Sequence, residues 1–447
     1  ALNEVFGYEC CTRVQADAIP IARSGELDVV CRARTGTGKT LAFLIPTIEQ
    51  LYRAATPRRL GDFGVLVLSP TRELASQIAE EAKALLRHHA SPLVGVECVV
   101  GGVKAEKDVR RLGLAANRVP LVLVATPGRL NDLLENHNLR NHLQRMRTLI
   151  FDEADQLLDM GFLPAIKRIL AALPPRTARQ TLLFSATFPP DVKALSSLAL
   201  RDNHRYIDCI GTAAGGGAGG SGGADTNVQV FQYELGATLE TLASQLWRVL
   251  EWHTSRDESF KVLVFFVTAR VTQYFSELFA HMPMRGPVLE IHSRKSQAHR
   301  TRTSDRFRTG ERMMMFSSDV SARGLDYDNV SMVVQVGLPT NRAQYVHRLG
   351  RTGRAGKPGV GVLMLCDYER AFLKQLTALP VKSFEKDAEG AASQAPLDDA
   401  KLRAAIAAVS PLTCTMSYQA WLGFYNSNLK TLRWTPVQLV AMANRWA

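Results

Sequence analysis

The chain contains no Cys-x-x-Cys pair. Its seven cysteines, at 10, 11, 31, 98, 209, 366 and 414, are scattered, so no structural zinc site of the usual spacing is indicated. An odd, unpatterned count fits a reducing compartment, and the adjacent Cys10 and Cys11 read as ordinary thiols. Also missing is any apolar run near the roughly 18 residues that a membrane helix needs. A membrane partner is therefore not expected. Residues 401–447 lack Asp and Glu altogether, so the chain ends on one sign of charge. The first residue is Ala1 rather than Met. The native N-terminus, with any targeting segment, is expected upstream of it.

What is present is length, apolar content and positive charge. The 447 residues suit two or three domains, and 46% apolar residues supply sizeable cores. The formal net charge is +12 and the isoelectric point about 9.5. That balance favours polyanionic partners without choosing among RNA, DNA and an anionic surface.

Residues 1–208 alternate apolar strand candidates with amphipathic helix candidates. Val65-Leu66-Val67-Leu68, Leu121-Val122-Leu123-Val124 and Leu149-Ile150-Phe151 are examples. Near-continuous apolar strands between helices indicate an α/β fold with a parallel sheet covered on both faces. Residues 209–226 contain a Gly-rich run from Gly211 to Gly223, which cannot pack a core and reads as a flexible linker. Residues 227–380 repeat the α/β pattern. Residues 381–400 read as an acidic, Ala-rich spacer. In 401–447, Tyr418, Trp421, Leu422 and Tyr425 form a helical stripe, and Ser410-Pro411 and Thr435-Pro436 mark helix starts. A small helical extension is expected, its stripe packed against the second domain, with basic side chains on the far face available to RNA phosphates.

Two local patterns carry chemistry. Asp152-Glu153-Ala154-Asp155 follows Leu149-Ile150-Phe151 directly, which puts adjacent carboxylates at the carboxyl tip of a buried strand. Ligand crevices of open α/β sheets lie at such tips, and paired carboxylates there can hold Mg²⁺ and polarise a water. Alone, the tetrapeptide equally fits a solvated acidic turn. Upstream, Ala33-Arg34-Thr35-Gly36-Thr37-Gly38-Lys39-Thr40 lies between a strand candidate, Asp28-Val29-Val30-Cys31, and a helix candidate, Leu41-Ala42-Phe43-Leu44-Ile45. That context suits a phosphate-binding loop. Glycines let backbone N–H groups surround phosphate oxygens, and the helix N-terminus adds partial positive charge. Lys39 would reach the terminal phosphates, and the Thr40 hydroxyl would ligate Mg²⁺. Ala33 stands where the full pattern has Gly.

With these two motifs the chain resembles a DEAD-box RNA helicase, and further motifs occur in that family's order. Thr12 and Gln15 sit in a segment similar to the adenine-reading Q motif. Pro70-Thr71-Arg72-Glu73-Leu74, Gly101-Gly102, Thr126-Pro127-Gly128-Arg129 and Ser185-Ala186-Thr187 resemble further motifs of the first domain. In the second half, Val264-Phe265-Phe266-Val267-Thr268, Gln297-Ala298-His299-Arg300, the run Ser318 to Asp326 and the run His347 to Arg354 resemble the motifs that follow. The resemblance spans residues 6–380, roughly.

The family resemblance implies two tandem RecA-like domains and RNA-dependent ATP hydrolysis. It implies that Thr12, Gln15, Thr35, Gly36, Thr37, Gly38, Lys39 and Thr40 bind ATP, with Gly324 and Asp326 added from the second domain. Asp152 and Thr40 would hold Mg²⁺, and Glu153 would orient and deprotonate the attacking water. Arg351 and Arg354 would act as arginine fingers. Arg72, Gly102, Thr126, Gly128, Arg129, Arg300 and Arg323 would touch RNA sugar and phosphate, which positions the strand without reading sequence. Asp155, Ser185, Thr187 and His347 would couple the parts. Cys11 and Arg13 stand where the family usually has Pro, and the expected adenine-stacking aromatic would precede Ala1.

The run from Tyr418 to Tyr425 is similar to the C-terminal extension of mitochondrial and chloroplast-type DEAD-box RNA chaperones. The similarity implies a monomeric enzyme in the mitochondrial matrix acting on ribosomal or other structured organellar RNA, with a ribosomal assembly intermediate and assembly factors as further partners. The nucleolus is the alternative compartment. The alternative role is a largely structural assembly factor with little turnover. A DNA helicase is a third, less favoured reading.

Overall fold

Alternate side chains of each central strand serve opposite faces of one sheet. In the computed structural model, residues 6–7, 9–53, 63–87, 95–102, 104–113, 122–210, 230–319, 327–353, 357–389 and 397–446 are described. The chain divides into two units, 1–217 and 218–447.

The first unit holds β1 (Val29–Arg32), β2 (Val65–Leu68), β3 (Val96–Val99), β4 (Val122–Ala125), β5 (Thr148–Phe151), β6 (Gln180–Ser185) and β7 (Arg205–Asp208). All pair in parallel, in the order β3-β4-β2-β5-β6-β1-β7. Val65 and Val67 of β2 join a cluster with Val14, Phe43 and Ile78, while Leu66 and Leu68 join Leu130, Ile166 and Leu195 on the other face. Both faces are buried, which is why these strands read as unbroken apolar runs.

The second unit holds β8 (Val230–Ala237), β9 (Lys261–Phe266), β10 (Val288–Ile291), β11 (Met313–Ser317), β12 (Met332–Val336), β13 (Gly359–Cys366) and β14 (Val381–Ser383). Their order is β10-β11-β9-β12-β13-β8-β14, again parallel throughout. Counted from each unit's first strand, the two orders are identical. The fold is therefore α/β with two tandem RecA-like sheets.

The second sheet runs further than the expected boundary at 380. Val381–Ser383, expected to open a spacer, is its seventh strand, paired with β8 at Val381–Gln232. Apolar burial decides this: Phe384 is fully buried, its ring 5.0 Å from Trp252 and 5.9 Å from Tyr233. The Gly-rich run lies outside the described residues.

The C-terminal extension forms helices Asp399–Ala408, Pro411–Ser427 and Pro436–Trp446, with a short turn of helix at Leu429–Leu432. Ser410 and Thr435 cap the second and the last, accepting from Thr413 N (3.2 Å) and Gln438 N (3.3 Å). The aromatic stripe faces inward. Trp421 and Tyr425 are buried in the same cluster as β9 and the helix Ala269–Ala280. Trp421 stacks on Trp446 at 5.9 Å, and Ser410 N donates to Glu277 Oε1 at 2.6 Å.

Candidate active site

Because the strands are parallel, the loops after β5, β6 and β1 emerge on one edge of the sheet, and these three strands are neighbours in that order. The acidic tetrapeptide follows β5, Ser185-Ala186-Thr187 closes β6, and the Gly-rich loop follows β1.

Gly36 and Gly38 adopt φ of 73° and 88°, left-handed values that glycine reaches without a Cβ clash. Ala33 has no such φ and is fully buried, its N–H donating to the Ser185 carbonyl at 3.0 Å. The loop thus tolerates Ala at the position where the pattern has Gly. Lys39 opens the helix Lys39–Arg53. Its Nζ donates to Glu153 Oε1 at 3.1 Å and to the Ala33 carbonyl at 3.3 Å. Burial alone would pull the Lys39 pKa down, but Glu153, Asp152 and Asp155 hold it above its ordinary value. Asp152 is pushed up to about 7 by burial and by the Glu153 charge, against the attraction of Lys39. Glu153 sits at φ 51°, and its N–H donates to Asp152 Oδ1 at 3.0 Å.

Asp155 ties this edge to β6. Its N–H donates to Ser185 Oγ at 3.2 Å, Ser185 Oγ donates to the Thr187 carbonyl at 2.8 Å, and Thr187 N and Oγ1 donate to Asp155 Oδ2 at 3.1 and 2.7 Å. Three residues expected to couple the motifs are therefore one hydrogen-bonded group.

Gln15 is engaged by protein at both ends. Its Oε1 accepts from Thr12 N at 3.0 Å, its N–H donates to Thr12 Oγ1 at 3.4 Å, and its Nε2 donates to the Gly38 carbonyl at 3.1 Å. The capping box of helix Arg13–Ser24 thereby holds the phosphate loop. Reading adenine would require Gln15 to exchange these bonds. Thr37 Oγ1 donates to the Arg34 carbonyl at 2.8 Å. Thr35 lies in the same loop and Thr40 in the first turn of the helix that follows it, both partly exposed.

The expected RNA residues divide. Arg72, first in the helix Arg72–Leu86, lays its guanidinium against Gly101 and Gly102, and Gly102 has φ 89°. Thr126 and Gly128 lie at the start of the helix Pro127–Asn136. Arg129 is buried and ion-paired with Asp108, which also takes Arg111 at 3.0 Å. Arg129 is therefore committed to the protein interior, and its expected RNA contact would require breaking that pair. Sequence gave no local signal for the Asp108–Arg129 pair, since the two lie in separate helices.

In the second unit Arg300 is buried in the helix Gln297–Thr309. His347 is buried, and its carbonyl accepts from Arg351 Nε at 3.3 Å. The functional run contains a pair that motif reading passed over. Arg348 Nε and Nη2 both reach Asp319 Oδ1 at 2.8 Å, Gln344 Nε2 donates to Asp319 Oδ2 at 3.0 Å, and the Arg348 guanidinium lies over the Phe265 ring at 5.4 Å. Arg323, Gly324, Asp326 and Arg354 lie outside the described residues.

Among the described residues, no group of three or more His, Cys, Asp or Glu side chains is placed to hold a metal unaided. Asp152, whose charge acts on Lys39, and Thr40, the residue after Lys39, nonetheless supply oxygen donors at this edge. This suits Mg²⁺, which commonly takes one or two protein oxygens plus substrate phosphates and water. Asp152 is the fitting member, because a cation would offset the burial and like charge that raise its pKa.

The family description DEAD/DEAH box helicase matches residues 12–195, and Helicase conserved C-terminal domain matches 241–356. DEAD-box ATP-dependent RNA helicase 26 of Oryza sativa subsp. japonica is 42% identical over 442 residues, covering 99% of this chain and 77% of that protein. DEAD-box ATP-dependent RNA helicase 25 of Arabidopsis thaliana is 41% identical, covering 99% and 75%. Among solved structures, Mss116p lacking its NTE and C-tail, bound to ssRNA and AMP-PNP, superposes with a TM-score of 0.83 at 26% identity, over 98% of this chain and 85% of that one. With the phosphate loop, the acidic tips and both sheets in place, the chain belongs to the DEAD/DEAH box helicase family, among its DEAD-box ATP-dependent RNA helicases.

Proposed function

We propose that this helicase couples ATP hydrolysis to RNA clamping and local separation of short duplexes. We further propose that it does so as a monomer in the mitochondrial matrix, on ribosomal or other structured organellar RNA during RNP assembly or intron folding. The observation that carries the chemistry is the buried Lys39–Glu153 pair at the strand tips. Phosphates arriving in the Gly36–Gly38 loop would compete for Lys39 and release the Glu153 carboxylate to accept a proton from water. Asp152 and Thr40 would hold Mg²⁺, which neutralises developing phosphate charge. Arg351 and Arg354 would complete the site from the second unit. RNA contact by Arg72, Gly102, Thr126 and Gly128, together with Arg300 and Arg323, would report RNA occupancy to it. The Asp155–Ser185–Thr187 group is a rigid link through which the two can communicate. The RNA-bound Mss116p neighbour and the tail resemblance support the RNA and organellar parts of this reading.

The test is ATP turnover with and without RNA. RNA should stimulate hydrolysis, and Glu153→Gln should hold ATP and RNA together without turnover. An ATPase rate indifferent to RNA would sink the reading. If Lys39→Ala still supported RNP assembly in cells, the structural alternative would replace it.

A further inference from the structure

On the opposite edge of the first sheet lies a cavity of about 520 Å³ whose wall is built largely from arginine. Arg23 and Arg53 close the helices Arg13–Ser24 and Lys39–Arg53. Arg147 and Arg179 immediately precede β5 and β6, and Arg201 follows the helix Pro190–Ala199. The strands are the same ones that carry the ATP site at their carboxyl tips, met here at their amino ends. The floor is an amide pair, in which Gln50 Nε2 donates to Gln180 Oε1 at 3.0 Å.

Five arginines line this space against one lining acidic residue, Glu26. Beneath them, Glu49 pairs with Arg53 at 2.5 Å and Arg23 at 4.0 Å, and Asp28 pairs with Arg201 at 2.8 Å. Cations at helix C-termini explain Arg23 and Arg53 on their own. They do not explain Arg179. It is 5% exposed, and its Nη atoms donate only to the carbonyls of Pro174 and Ala199. Its Nε is buried without a hydrogen-bond partner, and the carboxylate whose charge acts on it, Asp28, is already paired with Arg201. A buried guanidinium that must share its one counter-charge is costly, and its planar fork matches phosphate oxygens.

We propose that this cavity is a second phosphate-binding site, separate from the nucleotide site, taking phosphate groups of an RNA backbone or of a free polyphosphate. Its volume falls within the range of small-ligand sites. The amide floor offers no negative charge, and the arginine rim supplies the field that draws an anion in.

The experiment uses the full chain with its nucleotide site saturated by ADP and Mg²⁺. Inorganic tripolyphosphate is titrated by calorimetry, and a short and a long single-stranded RNA are titrated over a salt series. The same is done for Arg53→Glu with Arg147→Glu, two exposed positions. The neutral pair Arg53→Gln with Arg147→Gln guards against misfolding by charge reversal. RNA-free ATP turnover should be unchanged in both and serves as the fold control. Loss of turnover with intact anion binding would implicate the nucleotide site and leave this one standing. If a free polyphosphate is the occupant, tripolyphosphate binds once per chain and weakens about tenfold or more in the variants. If RNA is the occupant, tripolyphosphate binds poorly. The long RNA then loses about tenfold with a shallower salt slope, and the short RNA is unaffected. Equal binding of both ligands by parent and variants overturns the proposal.

Discussion

Glu369 buries a carboxylate where the C-terminal extension meets the second sheet, and replacing it should change how stability depends on pH. The side chain is fully buried. Oε1 accepts from Tyr425 Oη at 2.6 Å and Leu338 N at 2.8 Å, and Oε2 accepts from Cys366 N at 2.8 Å. Burial raises its pKa from 4.5 to about 7, against the pull of those three donors. An acid whose folded pKa lies above its unfolded value holds its proton more tightly when folded. Its favourable contribution is complete below about pH 4.5 and is lost as pH rises towards about 7. At about 1.4 kcal/mol per unit, the loss over that window is about 3 kcal/mol. Glu369→Gln cannot ionise. It presents an amide N–H₂ to one of three donors, which should cost about 1–3 kcal/mol at every pH. The parent should therefore be the more stable protein near about pH 5, and the difference should shift by about 2 kcal/mol in the variant's favour by about pH 7.5. All five tryptophans (247, 252, 421, 434 and 446) lie in the second unit, so tryptophan fluorescence in urea reports that unit alone. His253, held down at about 4 by burial, acts with the opposite sign, since its unfolded form binds the extra proton. It is common to both proteins and cancels in the difference. A difference between parent and variant that stays constant with pH would refute the assignment.

Trp421→Ala removes a side chain that packs tilted against Tyr425 at 4.2 Å and stacked on Trp446 at 5.9 Å. It should cost about 3–5 kcal/mol in the same fluorescence titration, and a loss below about 1 kcal/mol would mean the extension is not part of that core. Gly38→Ala puts a Cβ 2.5 Å from Gln15 Nε2 on a backbone at φ 88°. The left-handed penalty of about 1–2 kcal/mol adds to that clash, so binding of a fluorescent ATP analogue should weaken about tenfold or more. Asp108→Ala takes from buried Arg129 its nearer carboxylate and leaves the half-exposed Asp132 at 3.6 Å. It should destabilise the first unit by about 3 kcal/mol in urea unfolding followed by circular dichroism, and an unchanged transition would show that Arg129 finds solvent or RNA instead.

Much of this molecule is readable locally. Val65 to Leu68 and Leu149 to Phe151 announce strands buried on both faces, and Ser410-Pro411 announces a helix start that Ser410 does cap. The Gly36–Thr40 loop and Asp152–Asp155 are short contiguous patterns whose chemistry follows from strand tips. Contacts between distant segments are another matter. Arg129 meets Asp108, Glu369 meets Tyr425, and the five arginines of the second cavity come from five separate elements. No spacing rule links such positions, because the topology of the sheet, not the chain's local periodicity, brings them together. Phe384 shows the same limit at a boundary: an acidic, Ala-rich composition hid the apolar anchor that extends the second sheet to Ser383.

The two sheets share one strand order, so each position in one has a counterpart in the other. The tips of β5, β6 and β1 correspond to those of β12, β13 and β8. In the first unit that edge is a cradle of glycines and carboxylates. In the second, the same address is tenanted: Gly337, at φ 87° just past β12, faces Glu369 and the Tyr425 hydroxyl. A resident phenol stands where the sister half receives a visitor. The duplicated architecture therefore carries glycines and carboxylates at this edge in one half and a tyrosine of the tail beside the tip of β12 in the other, and clipping that tail should unsettle the second half without creating a second ATPase.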